Sequence, residues 1–408
     1  MQNNFDIAII GAGLAGASLA VHLSAPAFRD LQVVVIEPRT REAQLTRDRT
    51  WCYWNTDGTS MPVAHRFDEI SVHGVAMHTV KSAYPYEMLP SDAFFRDAHS
   101  AIDKCNNVKM WCGVSVNNVR KCASNIDIDT SAGVVTAKLV FDSRPTKMDV
   151  LTLPKHAFLQ HFAGWEIVVT RSVFTEASAT LMDFQVPQSP IDGVHFMYVL
   201  PICATHALIE DTWFTPATRM VASDYVKPDY AAHIRDYLAA KFDCHAADFT
   251  ISYREAAVLP MIAGLHIDHL SNAMPQVIPI GAAAGMARAS SGYAFADTRR
   301  ATAAIAATLL QQLQADPSCA FLNKPILFQP WRSPLLDWMD GIFLTVMATS
   351  PLRAPHIFEN LFRQVPADRL VRFLGGVPTY LDLLYVIAAC PKWPFIQAAV
   401  SNMMKKVR

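Results

Sequence analysis

Two sets of residues in this chain have the types and spacing to do chemistry. The first is Gly11-Ala12-Gly13-Leu14-Ala15-Gly16, which follows directly on the β-branched run 6–10. Glu37 stands 21 residues beyond Gly16, after a second apolar run at 31–36. A strand, a GxGxxG turn, a helix, a second strand and an acid in that order form a dinucleotide site. Gly11 permits the tight turn, Gly13 lets the backbone approach a pyrophosphate, and Gly16 lets the helix 17–23 pack closely on the strand. The helix start offers free N–H groups and a positive dipole end to phosphates. Glu37 can accept hydrogen bonds from a ribose diol. The second set is Leu208-Ile209-Glu210-Asp211-Thr212, two acids inside an apolar run. An acid in such a strand is expensive to bury without a purpose. Strand neighbours face opposite sides. Leu208, Glu210 and Thr212 therefore share one face, and Ile209, Asp211 and Trp213 the other. The period leaves open which face is inner.

The elements that must position these residues read as α/β. After Glu37 the chain leaves regular βα units for 39–54, rich in arginine and aromatics, and strand patterns follow at 70–77, 114–119, 126–128 and 134–141. A Rossmann unit that opens the chain and carries a β-rich insertion is the organisation of many FAD enzymes, an analogy at the level of fold. From 158 to 261 the pattern is mainly β, with strands expected at 166–170, 179–184, 195–200, 207–212 and 252–259 between turn residues such as Pro187, Gly193 and Pro201. An antiparallel sheet over a substrate site is the expected product. A short strand at 277–280, the run Gly281-Ala-Ala-Ala-Gly285 and an alanine-rich helix at 301–313 follow. Gly281 and Gly285 can bring backbone N–H groups to the pyrophosphate or ribityl part of the cofactor. The expected division is a Rossmann-type FAD-binding domain at 1–155 and an antiparallel substrate domain at 156–267. The FAD-binding domain resumes at 268–320, and a helical, membrane-facing region fills 321–408.

Of the 408 residues, 51% are hydrophobic and 17% charged, against a usual charged share of about 25%. That excludes intrinsic disorder and points to an apolar cleft, a membrane contact or both. A net charge of −1 gives no basic field for nucleic acid. The eight cysteines form no CxxC pair. Neither a disulfide scaffold nor a zinc ribbon is expected, no metal site is assigned, and a reducing cytoplasm fits. The first apolar run reads as a strand rather than a signal peptide. No uninterrupted run reaches the roughly 20 apolar residues of a spanning helix. Segment 321–408 holds ten Lys/Arg against five acids, interleaved with Trp331, Leu335, Trp338, Phe343, Trp393 and Phe395. Such a surface suits the face of an anionic bilayer, with a helical cap or a dimer interface as the alternative. The expected location is cytoplasmic and peripheral to a membrane.

Taken in order, the motifs resemble the lycopene cyclase family, flavoproteins that close carotenoid end rings. They are Gly11 to Gly16, Asp48-Arg-Thr-Trp-Cys-Tyr-Trp54, Gln160-His-Phe-Ala-Gly164, Leu181-Met-Asp-Phe184, Phe196-Met-Tyr-Val-Leu-Pro201, the acidic run Leu208 to Thr212, residues 255–261, and Ser291-Gly-Tyr293. The resemblance implies reduced FAD beside a polyene, with NADPH or NADH serving only as reductant. A terminal alkene would be protonated, an internal double bond would close the ring, and a proton would leave, with no net oxidation. The family pattern favours Glu210 as the acid, with Asp211 completing the catalytic acidic motif. An alkene is a very poor base, so that acid must be neutral at working pH and the cation must be stabilised as it forms. Trp51, Tyr53, Trp54, Tyr198 and Tyr293 are candidate aromatic faces, worth about 0.5–2 kcal/mol each when desolvated, with core packing as the other role for each. Arg49 and Arg288 are candidates for FAD phosphate or flavin contacts, or plain surface charges.

The chain also departs from the family. Arg288-Ala289 stands where the family usually has His-Pro, and Asp142-Ser143-Arg144 lacks a glycine common in this class. The competing reading is an FAD-dependent monooxygenase or halogenase-like enzyme on an apolar substrate. Such monooxygenases usually carry Gly-Asp in the late FAD loop, where this chain has Gly281-Ala282.

Overall fold

The β-branched runs that open the chain become the centre of a sheet. Asn4–Ile10 (β1) is followed by the helix Leu14–Leu23 (α1) and by Val33–Glu37 (β2), buried at every position, as a parallel strand covered on both faces must be. Then come Thr50–Trp54 (β3), His65–Phe67 (β4), Glu69–Val72 (β5), Val75–His78 (β6), Tyr86–Pro90 (β7) and the helix Ser91–Ile102 (α2). Val108–Cys112 (β8), Val116–Cys122 (β9), Asn125–Thr130 (β10) and Gly133–Asp142 (β11) complete the first part. The second part runs Phe158–Val169 (β12), Ser178–Asp183 (β13), Val194–Cys203 (β14), His206–Pro216 (β15), the helix Tyr230–Phe242 (α3), Phe249–Met261 (β16) and Val277–Pro279 (β17). Helices then dominate: Phe295–Ala315 (α4), Pro334–Thr349 (α5), Ala354–Gln364 (α6), Ala367–Leu374 (α7), Tyr380–Ala389 (α8) and Lys392–Lys406 (α9). This computed structural model describes residues 3–78, 83–122, 124–145, 154, 156–264 and 274–406. The expected boundaries at 155 and 267–268 lie outside them.

Among the described residues, three sheets organise the strands. The first has the order β8-β2-β1-β11-β10-β9, with β17 beside β11. The pairs β2–β8, β1–β2, β1–β11 and β11–β17 are parallel, and α1 and α4 pack together on this sheet over one core cluster. That is a Rossmann-type arrangement. The second sheet has the order β16-β12-β15-β14-β13-β5-β6, and β3-β7-β4 form the third. The second sheet faces the C-terminal helices across the largest core cluster, where Phe196, Leu208 and Phe214 meet Ile342, Phe358 and Val371.

Two elements differ from the sequence expectation. The run 70–77 is not one strand but the hairpin β5–β6, because His73 and Gly74 both take left-handed φ, 47° and 79°, as a two-residue hairpin turn requires. That hairpin pairs with β13 in the second sheet, not with the Rossmann sheet. The span 158–261 also contains α3, whose Ile234, Tyr237 and Leu238 pack on the back of that sheet.

Candidate active site

The glycine turn is shaped for a dinucleotide's pyrophosphate. Gly11 has a φ of 84°. A Cβ at Gly16 would collide with the Gly11 carbonyl and stand 3.2 Å from Ile9 Cγ2, so only glycine lets α1 close on β1. Gly13 is the N-cap of α1, no side chain caps it, and open space surrounds the place of its Cβ. The uncapped N–H groups of that first turn are left for an anion. Ser143, just past the end of β11, donates from Oγ to the Ile10 carbonyl at 2.8 Å. Glu37 accepts from Ala12 N–H at 2.6 Å and from Arg39 Nε at 2.8 Å, which fixes its carboxylate beside the turn. A Cβ at Gly281 would lie 3.5 Å from Ala15 Cβ, so the Gly281–Gly285 loop packs against α1. Arg332 holds that loop, donating to the Gly285 and Ala287 carbonyls at 3.3 and 3.2 Å. The two glycine loops and the uncapped helix start fit a pyrophosphate; side chains at 11, 16 or 281 would not.

The same loop continues through Ser290 to Ala294 into the wall of a half-open cavity of about 1230 Å³, a volume that includes its solvent-open mouth. The wall is mostly apolar: Leu181, Phe196, Leu208 and Phe214 from the sheet, and Phe358 and Phe362 from α6. Glu210 projects into it from β15, beside Thr212 and Tyr198. Its residue is only 8% exposed. Burial pushes the Glu210 carboxyl well above the usual carboxylate range, and the neighbouring Glu255 adds to this through its charge and a hydrogen bond, against a weaker pull from Arg47. Tyr198 and Tyr293 both line the cavity, joined through Tyr86, whose hydroxyl lies 2.6 Å from Tyr198 and 3.2 Å from Tyr293. Burial keeps all three phenols neutral. A second, more apolar cavity of about 1040 Å³ lies among α5, α8 and α9. It shares Ser290, Ser291, Phe358, Leu361 and Leu374 with the first, so apolar wall runs from the last two helices to Glu210.

The remaining sequence candidates divide. Trp51 lines the cavity while packing edge-on to Phe94 at 5.4 Å. Arg49 lines it too, with its guanidinium paired to Asp48 at 2.9 Å. Tyr53 does not line it; although it shares a strand face with Trp51, it donates to Glu87 at 2.7 Å and packs on Phe295. Trp54 is core, its ring 4.6 Å from Tyr86. Asp211, named with Glu210 in the acidic motif, faces the other side of the sheet, as strand alternation requires. There it is fully buried and accepts from His195 Nε2 at 2.7 Å and His233 Nδ1 at 2.6 Å. His195 also meets the Pro187 carbonyl through Nδ1 at 2.8 Å and stacks on Trp213 at 4.0 Å. Asp211 therefore belongs to a buried hydrogen-bonded cluster with two histidines and does not line the cavity.

Arg288 is likewise corrected. It is one of the largest fully buried side chains, paired with Asp340 at 3.1 Å and donating to the Phe373 and Leu374 carbonyls at the end of α7. Its guanidinium ties α5 to α7 and has no face left for a phosphate.

Four residues at the site were not singled out from sequence. Glu255 and Gly164 meet Glu210 across three strands, Thr50 donates to Glu255 at 2.9 Å, and Gln160 lines the cavity. All four belong to motifs already quoted, but only the register shows what they do. In β12, Gly164 lies opposite Glu210 on one side and Glu255 on the other.

With this geometry in hand, comparison with known proteins defines the class. The family described as Lycopene cyclase protein matches residues 6–400, and the chain belongs to that family. A relative named lycopene beta-cyclase, from Pantoea ananas, is 24% identical over 415 residues, covering 99% of each chain. Among solved structures, a geranylgeranyl bacteriochlorophyll reductase-like protein from Thermoplasma acidophilum superposes with a TM-score of 0.62 at 11% identity, over 97% of this chain and 99% of that one. A flavin-dependent monooxygenase solved with FAD and substrate gives 0.58 at 14% identity, over 98% and 72%. These likenesses show the fold.

Proposed function

We propose that the protein closes an end ring of an apolar polyene of the lycopene type, as a β-ring and without net oxidation. One observation carries this reading: a buried carboxyl, pushed well above the usual carboxylate range by burial, projects into a mostly apolar and aromatic cavity beside a dinucleotide cradle. Gly11, Gly13, Gly16, Glu37, Gly281 and Gly285 would hold FAD. In its reduced form, with NADPH or NADH as reductant, the flavin would supply negative charge near a developing cation.

The chain's own residues do the rest. Glu210 transfers its proton to a terminal alkene carbon, and the positive charge appears on the adjacent carbon. The substrate's own internal double bond attacks that carbon and closes the ring. The faces of Tyr198, Tyr293 and Trp51 line the space where the cation forms. The apolar wall excludes water, which would otherwise trap the cation as an alcohol. Loss of a ring proton to the Glu210 carboxylate restores the acid, so substrate and product are isomers.

Substrate entry is proposed from a membrane surface. Ile387 and Ile396 line the second cavity and are half exposed, beside Leu384, Tyr385 and Trp393, the last 69% exposed. Among the described residues no single helix is long and apolar enough to cross a membrane. The pair α8–α9 is apolar enough only jointly, and it bends by 119°. Lying in the interface, such a bent apolar pair would place the cavity mouth against lipid.

The test is incubation with lycopene, FAD and a reductant without oxygen. A cyclic isomer of unchanged mass supports the reading. An oxygenated product formed only in air, with stoichiometric NAD(P)H consumption, would replace it with the monooxygenase reading.

A further inference from the structure

We propose that Glu255 is the anionic partner that keeps Glu210 protonated and returns it to that state after each ring closure, a positioning residue reached through Thr50 and Tyr253. This rests on the reading of Glu210 as the acid. The two carboxyls come from strands that never touch: β15 and β16 flank β12, and each meets Gly164 there. A Cβ at Gly164 would stand 2.9 Å from Glu210 Cγ and 3.3 Å from Glu255 Cγ. The missing side chain is the gap through which the carboxyls meet. Both are buried, Glu210 at 8% and Glu255 at 6% exposure, but only Glu210 lines the cavity. Glu255 stands behind it.

The surroundings assign the charge. Glu255 Oε2 accepts from Thr50 Oγ1 at 2.9 Å and from Tyr253 OH at 3.1 Å. Arg47 donates to that Thr50 hydroxyl at 2.7 Å, lies over the Tyr253 ring at 4.1 Å and pairs with Glu166. Both hydrogen bonds to Glu255 meet the same oxygen, Oε2. Its Oε1 has no hydrogen-bond partner among the described residues, and two carboxyls set against one another across Gly164 need one proton between them. Since Oε2 is occupied by donors, that proton sits on Glu210, which faces apolar walls. The other charged or titratable groups around the pair are Arg49 from the loop before β3, Cys52 on β3 and Tyr198 on β14. The Cys52 thiol and the Tyr198 phenol are held neutral by burial.

The role follows from proton balance. When the Glu210 O–H bond breaks and the new C–H bond forms, two carboxylates stand side by side. Their repulsion makes Glu210 a stronger base for the ring proton that must leave, and that transfer restores the shared-proton state. Proton count and electron count are unchanged over the cycle.

Glu255→Gln keeps the shape and removes the charge. Activity requires protonated Glu210, so it falls as pH rises through the Glu210 pKa. Without the neighbouring charge that alkaline limb should move down by about one pH unit or more, a tenfold effect at the old midpoint, and Glu255→Asp should bring most of it back. An independent readout needs no turnover: the infrared carboxylic-acid band that disappears in Glu210→Gln should titrate away at lower pH in Glu255→Gln. A limb and a band that stay in place in folded Glu255→Gln would overturn the proposal, even with lowered activity. If Glu210→Gln itself keeps full activity, the parent reading fails instead.

Discussion

A carboxyl that is neutral inside an apolar cavity has a sign in stability as well as in catalysis. The Glu210 pKa is raised in the fold, chiefly by desolvation and then by Glu255. Above the ordinary carboxylate range the unfolded chain has released this proton while the native state still holds it. Stability therefore falls as pH rises from that range toward the native value. Glu210→Gln, which cannot ionise, should flatten that slope in urea titrations between pH 5 and 8 while lowering turnover by at least about a hundredfold, the usual scale of a lost general acid. Retained flavin in the variant separates loss of the acid from loss of the site. A slope identical to wild type would mean that Glu210 ionises normally. Gly164→Ala tests the gap between the carboxyls. Crowding both γ-carbons should cost about 1–3 kcal/mol of stability, and displacing the acid should cut activity by about tenfold or more.

At the scale of elements, β15 divides its two acids between two tasks. Glu210 serves the cavity, and Asp211 binds the layer under α3 to the sheet through His195 and His233. Removing the charge of a fully buried, paired carboxylate should cost about 3 kcal/mol. Asp211→Asn is thus expected to unfold at lower urea while its alkaline activity limb stays where it is; loss of activity with unchanged stability would return Asp211 to the chemistry. Much of this layout was legible before the structure. The glycine spacing and Glu37 marked the cradle, and strand alternation already required Glu210 and Asp211 to part. What stayed hidden depends on partners distant in sequence. Arg288 reads as a free cation until Asp340 and the end of α7 surround it. Glu255 reads as one acid in an ordinary strand until the register of β12 sets it against Glu210. The turn His73-Gly74 splits the strand expected at 70–77; its glycine is the signal in the sequence, and the left-handed His73 before it masks that signal.

At the scale of the molecule, the last two helices carry apolar side chains outward beside a cavity that leads inward. Leu384→Glu with Trp393→Glu, both outside the cavity walls, should weaken binding to anionic vesicles by about tenfold or more. The same pair should raise the KM for substrate dissolved in lipid and leave turnover of detergent-dispersed substrate near wild type. Vesicle binding that survives these changes would move the entry elsewhere on the surface. The account as a whole turns on whether the proton that starts ring closure comes from the protein. The most direct measurement is reaction without oxygen in D₂O, with reduced flavin and an acyclic polyene, followed by mass spectrometry of the product. One deuterium per ring closed in wild type, no change in flavin redox state, and product formation at least about a hundredfold slower in Glu210→Gln are the predicted results. A cyclic product free of deuterium, or one heavier by an oxygen atom, would contradict the account.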